Sequence, residues 1–328
     1  MVERIGYKLF RVMSDGYAPL YFCKRDRYQI NGEYEAVNGG PKRGFAHRPG
    51  FHIFKAPYAP QIKRKAHGRT AWVEVAYEDT GHVHRRPLSQ GGDVPISPRI
   101  RLLRELPELP TKREAKQRVR ISEVEKLDGI WSWSLPAVST CPGAHGSDGE
   151  LVEVCAGCYA MGGRYRFRNV QEPREHNRAD WKRDGWVDDM VAMIQGRSYF
   201  RWFDSGDIYD WRLALKILTV VQRTPWCQHW IPTRSHKVPH LKLAVEMLDR
   251  EPNAVVRRSA DRVDEHPIDT ERRTALVASR PDAVPDGVHV CPATSIRKSC
   301  DGCRACWDPA VKDIAYIAHG PLAQPKAA

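Results

Sequence analysis

Apolar and polar positions alternate in two different ways along this chain. In residues 1–80, short apolar runs such as YKLFRVM and AWVEVAYE have the composition of β-strands, and NGEY and NGG are turn signals. After about residue 121, strand-like runs such as YFRWFD and WCQHWIP alternate with segments whose apolar residues recur at helical spacing, such as DWRLALKILTVVQRT. The first pattern predicts a small β-rich module, and the second predicts an α/β domain.

The strand–helix–strand order of the second region constrains how its strands pair. Parallel strands joined by a crossover connect with a right-handed turn in nearly all known folds. We therefore expect a full or partial (β/α) barrel over residues 121–318, with a doubly wound sheet as the alternative, and a tail over residues 319–328. Residues 81–120 are rich in Pro, Gly and Arg, which predicts a basic linker with a short helix near Thr111–Arg120.

Composition adds expectations about compartment and partner. The chain has no apolar run of about 18 residues, and its first residues, MVERIGYKLF, lack the apolar core of a secretory signal. We therefore expect a cytoplasmic protein without a membrane partner. The formal net charge of +12 favours polyanions through counterion release, and nucleic acid is the simplest such partner.

Seven of the nine cysteines fall into two sets. The first set is Cys141, Cys155 and Cys158, and the second set is Cys291, Cys300, Cys303 and Cys306. Clustered thiolates are soft ligands for zinc or for an iron–sulfur cluster, and C-x2-C spacing lets two sulfurs reach one metal. Three ligands leave one metal position open for chemistry, whereas four ligands indicate a structural or auxiliary site. Cys23 and Cys227 stand alone and are expected to be core residues.

Polar residues follow several predicted strands and are candidates for catalysis. The active face of a barrel lies at the carboxyl ends of its strands, where the turns DSGD and TRSH are expected. Asp204 and Asp207 are candidates for a general base or a substrate ligand, and Arg234 and Ser235, like Arg257 and Ser259, for binding a carboxylate or phosphate. The alternatives remain open: an Asx turn or helix cap for the aspartates, and ion pairs for the arginines.

A basic and aromatic stretch follows the first cysteine set. Tyr165 and Phe167 are interleaved with the arginines of this stretch, which are Arg164, Arg166, Arg168, Arg174 and Arg178. Such interleaving is typical of surfaces that bind single-stranded nucleic acid or a flipped base, with DNA favoured over RNA here. A solvated helix face would have the same composition.

Several of these motifs together resemble a known phage family. SWSLPAVSTCPGA, CAGCYA, FRWFDSGDIYD and VCPATSIRKSCDGCRACW are similar to the phage gene product 88 domain over about residues 120–310. The first cysteine loop with CYA also resembles phage Gp37/Gp68-type proteins, whose cysteine motif is similar to that of radical S-adenosylmethionine enzymes. The resemblance implies a protein of the infected host cell's cytoplasm and, for the first set, an iron–sulfur cluster, with S-adenosylmethionine dependence left open.

A second resemblance is to the guanine transglycosylases. Their order of motifs, a DSG turn, a PTR segment and then a cysteine-rich zinc site with a histidine, is matched here by residues 204–206, residues 232–234, the last three cysteines and His319. The resemblance implies insertion of a 7-deazaguanine base into DNA, with a structural zinc. Gln228 stands where that family keeps its nucleophilic aspartate, so Asp207 or Asp261 would have to replace it.

The sequence therefore supports three hypotheses about function. The first is a metalloenzyme that modifies bases in nucleic acid with an iron–sulfur cluster, and the second is the transglycosylase. The third is a zinc-stabilised nucleic-acid-binding protein without catalysis. The identity of the bound metal at each cysteine set distinguishes them.

Overall fold

The structure is a computed structural model that describes residues 2–21, 25–37, 48–87, 90–265, 271–295, 299–319 and 322. Cys23 lies outside the described residues. The chain divides into two compact units, one formed by Met1–Leu109 with Arg223–Trp226 and the other by Pro110–Gln222 with Cys227–Ala328. The boundary after Leu109 falls inside the segment that we expected to be a linker.

The first unit is rich in β-strands, as the alternating pattern predicts. Its strands are β1 (Val2–Met13), β2 (Gly16–Ala18), β3 (Glu33–Glu35), β4 (Phe51–His52), β5 (Thr70–Asp79), β6 (Val83–His84), β7 (Val94–Ser97) and β8 (Arg99–Glu105). They form a five-stranded antiparallel sheet of order β2-β1-β5-β8-β3 and a three-stranded sheet of order β4-β7-β6. Phe10, Val73 and Val75 are among the buried residues of its core.

The segment expected to be a linker is largely part of this first unit. Strands β6, β7 and β8 all lie after residue 80, and β8 pairs with β5. In β8 the buried Ile100 and Leu102 alternate with the more exposed Arg99 and Arg101. The Pro and Arg content suggested a linker. The alternation of apolar and polar residues with a period of two reflects burial of one strand face, and it predicts the observed strand correctly.

The second unit combines helices and strands, as expected for an α/β domain. Its helices are α1 (Lys112–Arg118), α2 (Glu153–Ala156), α3 (Arg168–Asp180), α4 (Trp186–Ile194), α5 (Trp211–Arg223), α6 (Pro239–Asp249) and α7 (Pro292–Ser295). Its strands are β9 (Ile121–Val124), β10 (Ile130–Trp133), β11 (Tyr199–Trp202), β12 (Gln228–Thr233), β13 (Ala254–Val263), β14 (Thr274–Ala278), β15 (His289–Val290) and β16 (Asp313–Ile317). Helix α1 confirms the short basic helix predicted within residues 111–120.

One mostly parallel sheet organises this unit. Its order is β15-β16-β14-β13-β12-β11-β10-β9, and every neighbouring pair is parallel except β9 with β10. From β10 to β14 the strands follow one another in chain order, without the reversal that a doubly wound sheet has at its switch point. The strand pairs of the described residues do not join β9 to β15, so a closed barrel is not shown.

Helical periodicity explains how the helices pack on this sheet. In α5 the buried positions recur at three and four residues, at Leu213, Ile217, Leu218 and Val221, as the sequence predicts. Proline occupies the first turn of α6, where its missing amide hydrogen costs no helical hydrogen bond. Within the described part of the chain, the helices are all too short or too polar to cross a membrane.

Candidate functional site

A cavity of about 840 Å³ lies within the second unit. Its size is in the usual range for small-molecule and cofactor sites. Both cysteine sets contribute to its wall, through Cys141, Cys155, Cys158, Cys291, Cys300 and Cys306. The predicted Asp204, Asp207 and Arg234 also line it, so residues far apart in sequence share one chamber.

The first cysteine set lies on an irregular segment that follows β10. Cys141 precedes a 3-10 turn at Pro142–Ala144, Cys155 lies in α2, and the amide of Cys158 donates to the Cys155 carbonyl at 3.1 Å. Burial raises the pKa of Cys141 to about 12, with Asp207 and the other two thiols adding to the shift. Burial also raises the pKa of Cys155. These two thiols therefore stay protonated at neutral pH unless a metal displaces the proton.

Two turns beside the cavity hold residues in an unfavourable backbone conformation. Val138, whose carbonyl accepts from the Cys141 amide, has φ of +64°, and Phe203, which precedes Asp204, has φ of +60°. Large or β-branched side chains rarely adopt this left-handed region, which costs about 1–3 kcal/mol and is concentrated at functional sites. The strain adds to the reasons for placing the site here.

The donor chemistry suits a metal, but the described side chains do not form a metal site. Three thiols in one cavity wall are soft ligands that fit zinc or iron–sulfur. Among the residues that the structure describes, no three His, Cys, Asp or Glu side chains are grouped so that they could hold a metal ion. The metal centres expected at both cysteine sets therefore stay predictions.

The second cysteine set packs in an apolar cluster with Trp230 and Trp307. Burial raises the pKa of Cys300 to about 12 and that of Cys306 to about 11. Two further side chains approach this set: the His289 Nε2 lies 3.4 Å from the Cys303 Sγ, and the Tyr316 hydroxyl lies 3.4 Å from the Cys306 Sγ. The sequence analysis did not include His289 as a candidate, although it stands two residues before Cys291.

Asp204 is the centre of a network of charged and aromatic side chains. Its Oδ1 accepts from the Arg201 Nη1 at 2.9 Å, and its Oδ2 accepts from the Tyr165 hydroxyl at 2.6 Å and from the Arg174 Nη2 at 3.5 Å. The Tyr159 hydroxyl donates to the Asp204 backbone carbonyl. Burial, the neighbouring Tyr159 and the Asp204 charge raise the pKa of Tyr165 well above its usual value. The network fixes Asp204 as a largely buried carboxylate at the cavity wall, with its side chain 14% exposed.

Asp207 has a different environment, in which neutral hydroxyl and amide groups, rather than arginine side chains, donate to its carboxylate oxygens. Its Oδ1 accepts from the Thr233 hydroxyl at 2.7 Å and from the Ile208 amide at 2.7 Å, and its Oδ2 accepts from the Arg234 amide at 2.8 Å. Burial raises its pKa, and these hydrogen bonds oppose the shift. This carboxylate joins the DSGD turn to the end of β12, which is a positioning role.

The remaining predicted polar residues are bound largely to the protein itself. Arg234 lines the cavity, but its Nε and Nη2 donate to the Ala260 carbonyl at 3.2 and 2.6 Å. Ser235 is fully buried outside the cavity wall, and its hydroxyl donates to the Ile208 carbonyl at 2.6 Å. Arg257 donates to five backbone carbonyls in residues 305–312. Ser235 and Arg257 are therefore structural, and Ser259 lines the cavity.

The basic and aromatic stretch divides into an inner and an outer part. Arg174 faces inward: it pairs with Asp204, and its Nε donates to the Ser205 hydroxyl. The exposed side chains of the outer part are Arg164, Arg166, Phe167, Arg168 and Arg178, and the exposed Tyr159 and Met161 lie just before the stretch. Of these, Arg164 and Tyr159 also line the cavity. The outer part therefore places arginines and aromatic rings side by side at the surface, next to the cavity.

Three residues of the cavity wall were not among the candidates predicted from the sequence. Arg201, Tyr159 and Trp230 all line the chamber, and the Arg201 guanidinium lies 4.6 Å from the Trp230 ring centroid. Arg201 pairs with Trp230 across β11 and β12, so the two side chains share one face of the sheet. The signal was present in the sequence, because an arginine that alternates with Phe200 and Trp202 must face away from the core.

Comparison with known proteins assigns the chain to a family. Neither the curated proteins nor the solved structures contain a match to this chain. A family model described as Gene product 88 matches residues 108–309, more than half of the chain and nearly the whole segment that builds the cavity. The match agrees with the resemblance seen in the cysteine motifs, and the chain belongs to the Gene product 88 family.

Proposed function

We propose that this chain is a phage metalloenzyme that modifies a base of nucleic acid inside the cavity of its second unit. The observation that carries the proposal is the cavity wall itself. It brings the three thiols of the first cysteine set together with the buried Asp204 network, and an exposed arginine-rich segment lies beside it. Thiols, a fixed carboxylate and a surface for phosphates are the parts that such an enzyme requires.

The first cysteine set is the proposed place of the metal. Cys141, Cys155 and Cys158 would hold an iron–sulfur cluster through three thiolates, and the open iron would be free for a co-substrate such as S-adenosylmethionine. Such a cluster supplies one-electron chemistry when it is bound. The second set would hold a structural or auxiliary metal with no open position.

The chain's own residues would position the substrate. Tyr165, Arg174 and Arg201 fix the Asp204 carboxylate in a chamber whose wall is mostly apolar. Its Oδ1 accepts from Arg201 alone among the described residues, so this oxygen would accept a second hydrogen bond from a base amine or a ribose hydroxyl. Arg164, Arg166 and Arg168 would contact the phosphates of the flanking nucleotides.

The sheet supports a partial (β/α) barrel as the scaffold. Strands β10 to β14 are parallel and follow one another in chain order, which is the arrangement of a singly wound barrel wall. Both DSGD and the first cysteine loop follow the carboxyl ends of their strands, as barrel active sites do.

The transglycosylase alternative has weaker support. Asp207, one of the two replacements for the nucleophile, has both carboxylate oxygens occupied by hydrogen bonds. The other, Asp261, forms an ion pair with Lys237 at 2.7 Å. The imidazole that approaches Cys303 belongs to His289, whereas the His319 ring lies 6.3 Å from that of Tyr159.

Metal analysis after anaerobic purification tests the proposal. We expect iron and acid-labile sulfide in the full chain, and Cys158→Ser should lose the part held by the first set. Cys227→Ala is the control, because Cys227 is buried and does not line the cavity. Mass spectrometry of nucleosides from cells that express the protein should show a modified base that disappears with Cys158→Ser.

The metal also separates the competing functions. Zinc in both sets, with tight nucleic-acid binding and no new nucleoside, would replace the enzyme by a non-catalytic binder. A single zinc at the second set would favour the transglycosylase. Protein that is free of metal and has normal stability would contradict all three hypotheses.

A further inference from the structure

The Asp204 network carries more positive than negative charge. Arg174, Arg201 and Asp204 have side chains only 11%, 12% and 14% exposed, so two guanidinium groups are buried with one carboxylate. The tyrosines that complete the network are hydroxyl donors. A buried net charge is costly unless a counter-charge is present. The network is therefore one negative group short.

The two arginines differ in how well the protein satisfies them. Arg174 donates to the Ser205 hydroxyl, to the Val170 carbonyl and to Asp204, which together engage all three of its nitrogens. The Arg201 Nε is buried and has no hydrogen-bond partner in the described part of the chain, and its Nη2 has only the Tyr159 hydroxyl at 3.5 Å. The missing negative group would therefore be bound at Arg201.

A second unsatisfied donor lies beside Arg201. The Trp230 indole Nε1 is buried without a hydrogen-bond partner among the described residues, and its ring centroid is 4.6 Å from the Arg201 guanidinium. Both side chains line the cavity. A buried donor without a partner costs about 1–3 kcal/mol, so two such donors on neighbouring side chains of the cavity wall favour an acceptor in the cavity.

We propose that Arg201, beside Trp230, binds an oxyanion of the molecule that occupies the cavity, which is a carboxylate or a phosphate group. The planar guanidinium is the side chain best suited to either anion, because it donates two parallel hydrogen bonds. The inference rests on the proposed function only in placing a ligand in this cavity, and it names the group by which that ligand is held.

Asp204 makes the inference testable in two directions. It competes with the ligand for Arg201, so Asp204→Asn should strengthen anion binding, by about fivefold or more, because it removes a buried like charge. Arg201→Gln should weaken binding by about tenfold or more. If the network only stabilised the fold, Asp204→Asn would weaken binding or leave it unchanged.

The experiment is calorimetric titration of the full chain at constant ionic strength. Sodium phosphate and sodium acetate are the two probes, and the tighter one identifies a phosphate or a carboxylate as the bound group. Arg113→Gln is the charge-matched control, because Arg113 is exposed on α1 and does not line the cavity. We expect the control to bind as the unchanged protein does.

Three results would overturn the inference: no saturable binding of either anion, unchanged binding in Arg201→Gln, or no gain in Asp204→Asn. If Arg201→Gln does not fold, as judged by circular dichroism, the Asp204→Asn result decides alone. Iron and sulfide content is measured on the same samples. Anion binding that follows Arg201 in a protein without iron would keep this inference and reject the iron–sulfur chemistry.

Discussion

Arg257 illustrates how a residue of catalytic type can be structural. It is fully buried in β13, and its guanidinium donates to the backbone carbonyls of residues 305, 306, 308, 311 and 312 at 2.7 to 3.2 Å. These carbonyls belong to the loop that contains Cys306. A single side chain thus satisfies five acceptors, of which the carbonyls of Ala305 and Cys306 belong to buried residues.

We therefore predict that Arg257→Met lowers the free energy of unfolding by about 3–5 kcal/mol, because several buried carbonyls lose a charged donor. Urea denaturation measures the change. Arg262→Met is the control, since Arg262 is exposed on the same strand, and its effect should stay within about 0.5 kcal/mol. Equal stability of the two variants would contradict the structural role of Arg257.

For individual residues, the sequence predicted which side chains lie at the site better than it predicted what each side chain does there. Asp204 and Arg234 were expected at the same active face, and both line the cavity. Two of the three hydrogen bonds that Asp207 accepts come from Thr233 and Arg234, which are distant in the chain, and the unsatisfied donor of Arg201 likewise depends on the packing of distant residues. Local sequence carries no record of those partners.

The elements were predictable where burial follows a regular period. Helix α5 and the strands β11 and β12 lie where the apolar spacing placed them. The strands β6 to β8 were missed because proline and arginine content was taken as the stronger signal. The segment with the first cysteine set has only short helical turns, so its conformation depends on contacts with other elements rather than on periodicity.

One such contact joins the first cysteine loop to the end of β12. A Cβ placed on Gly143 would lie 2.3 Å from the Arg234 carbonyl oxygen, which is backbone and has little freedom to move away. We predict that Gly143→Ala destabilises the protein by about 1–3 kcal/mol and displaces the adjacent Cys141. Urea denaturation measures the first effect, and the rate of thiol labelling at Cys141 measures the second.

Gly162 provides the matched control for this element. It lies in the same irregular segment and has φ of −130°, and a Cβ placed on it would have no atom of the described residues within 4 Å. Gly162→Ala should therefore leave stability and Cys141 labelling unchanged. If both variants behave alike, the close approach of Gly143 to β12 does not hold the loop in place.

At the scale of the whole molecule, the net charge predicts a polyanionic partner, and the basic and aromatic stretch predicts where it would bind. In the structure, Arg164, Arg166 and Arg168 are exposed next to Phe167, which is 59% exposed. Of these arginines, Arg168 pairs with Glu172 within α3. An exposed aromatic ring between arginines suits stacking on a base with phosphate contacts on either side.

This surface predicts how binding depends on salt. Replacing Arg164, Arg166 and Arg168 together by Ala should reduce the slope of log affinity against log salt by about two units on single-stranded DNA, if all three contact phosphate. Fluorescence anisotropy with a labelled oligonucleotide at several salt concentrations measures the slope. The affinity at low salt should fall as well, because binding releases fewer counterions when phosphate contacts are lost.

A second triple variant with the same loss of charge distinguishes binding at the arginines beside the cavity from attraction by the protein's net charge. Arg99, Arg101 and Arg104 lie in β8 and pair with Glu35, Glu3 and Glu74 at 2.7, 3.2 and 2.9 Å. Their replacement by Ala also removes three positive charges, but from arginines that already have carboxylate partners. The slope of log affinity against log salt should therefore change little. An equal reduction in both triple variants would mean that the net charge of +12 acts as a whole. In that case the arginines beside the cavity would not be the place where nucleic acid enters it.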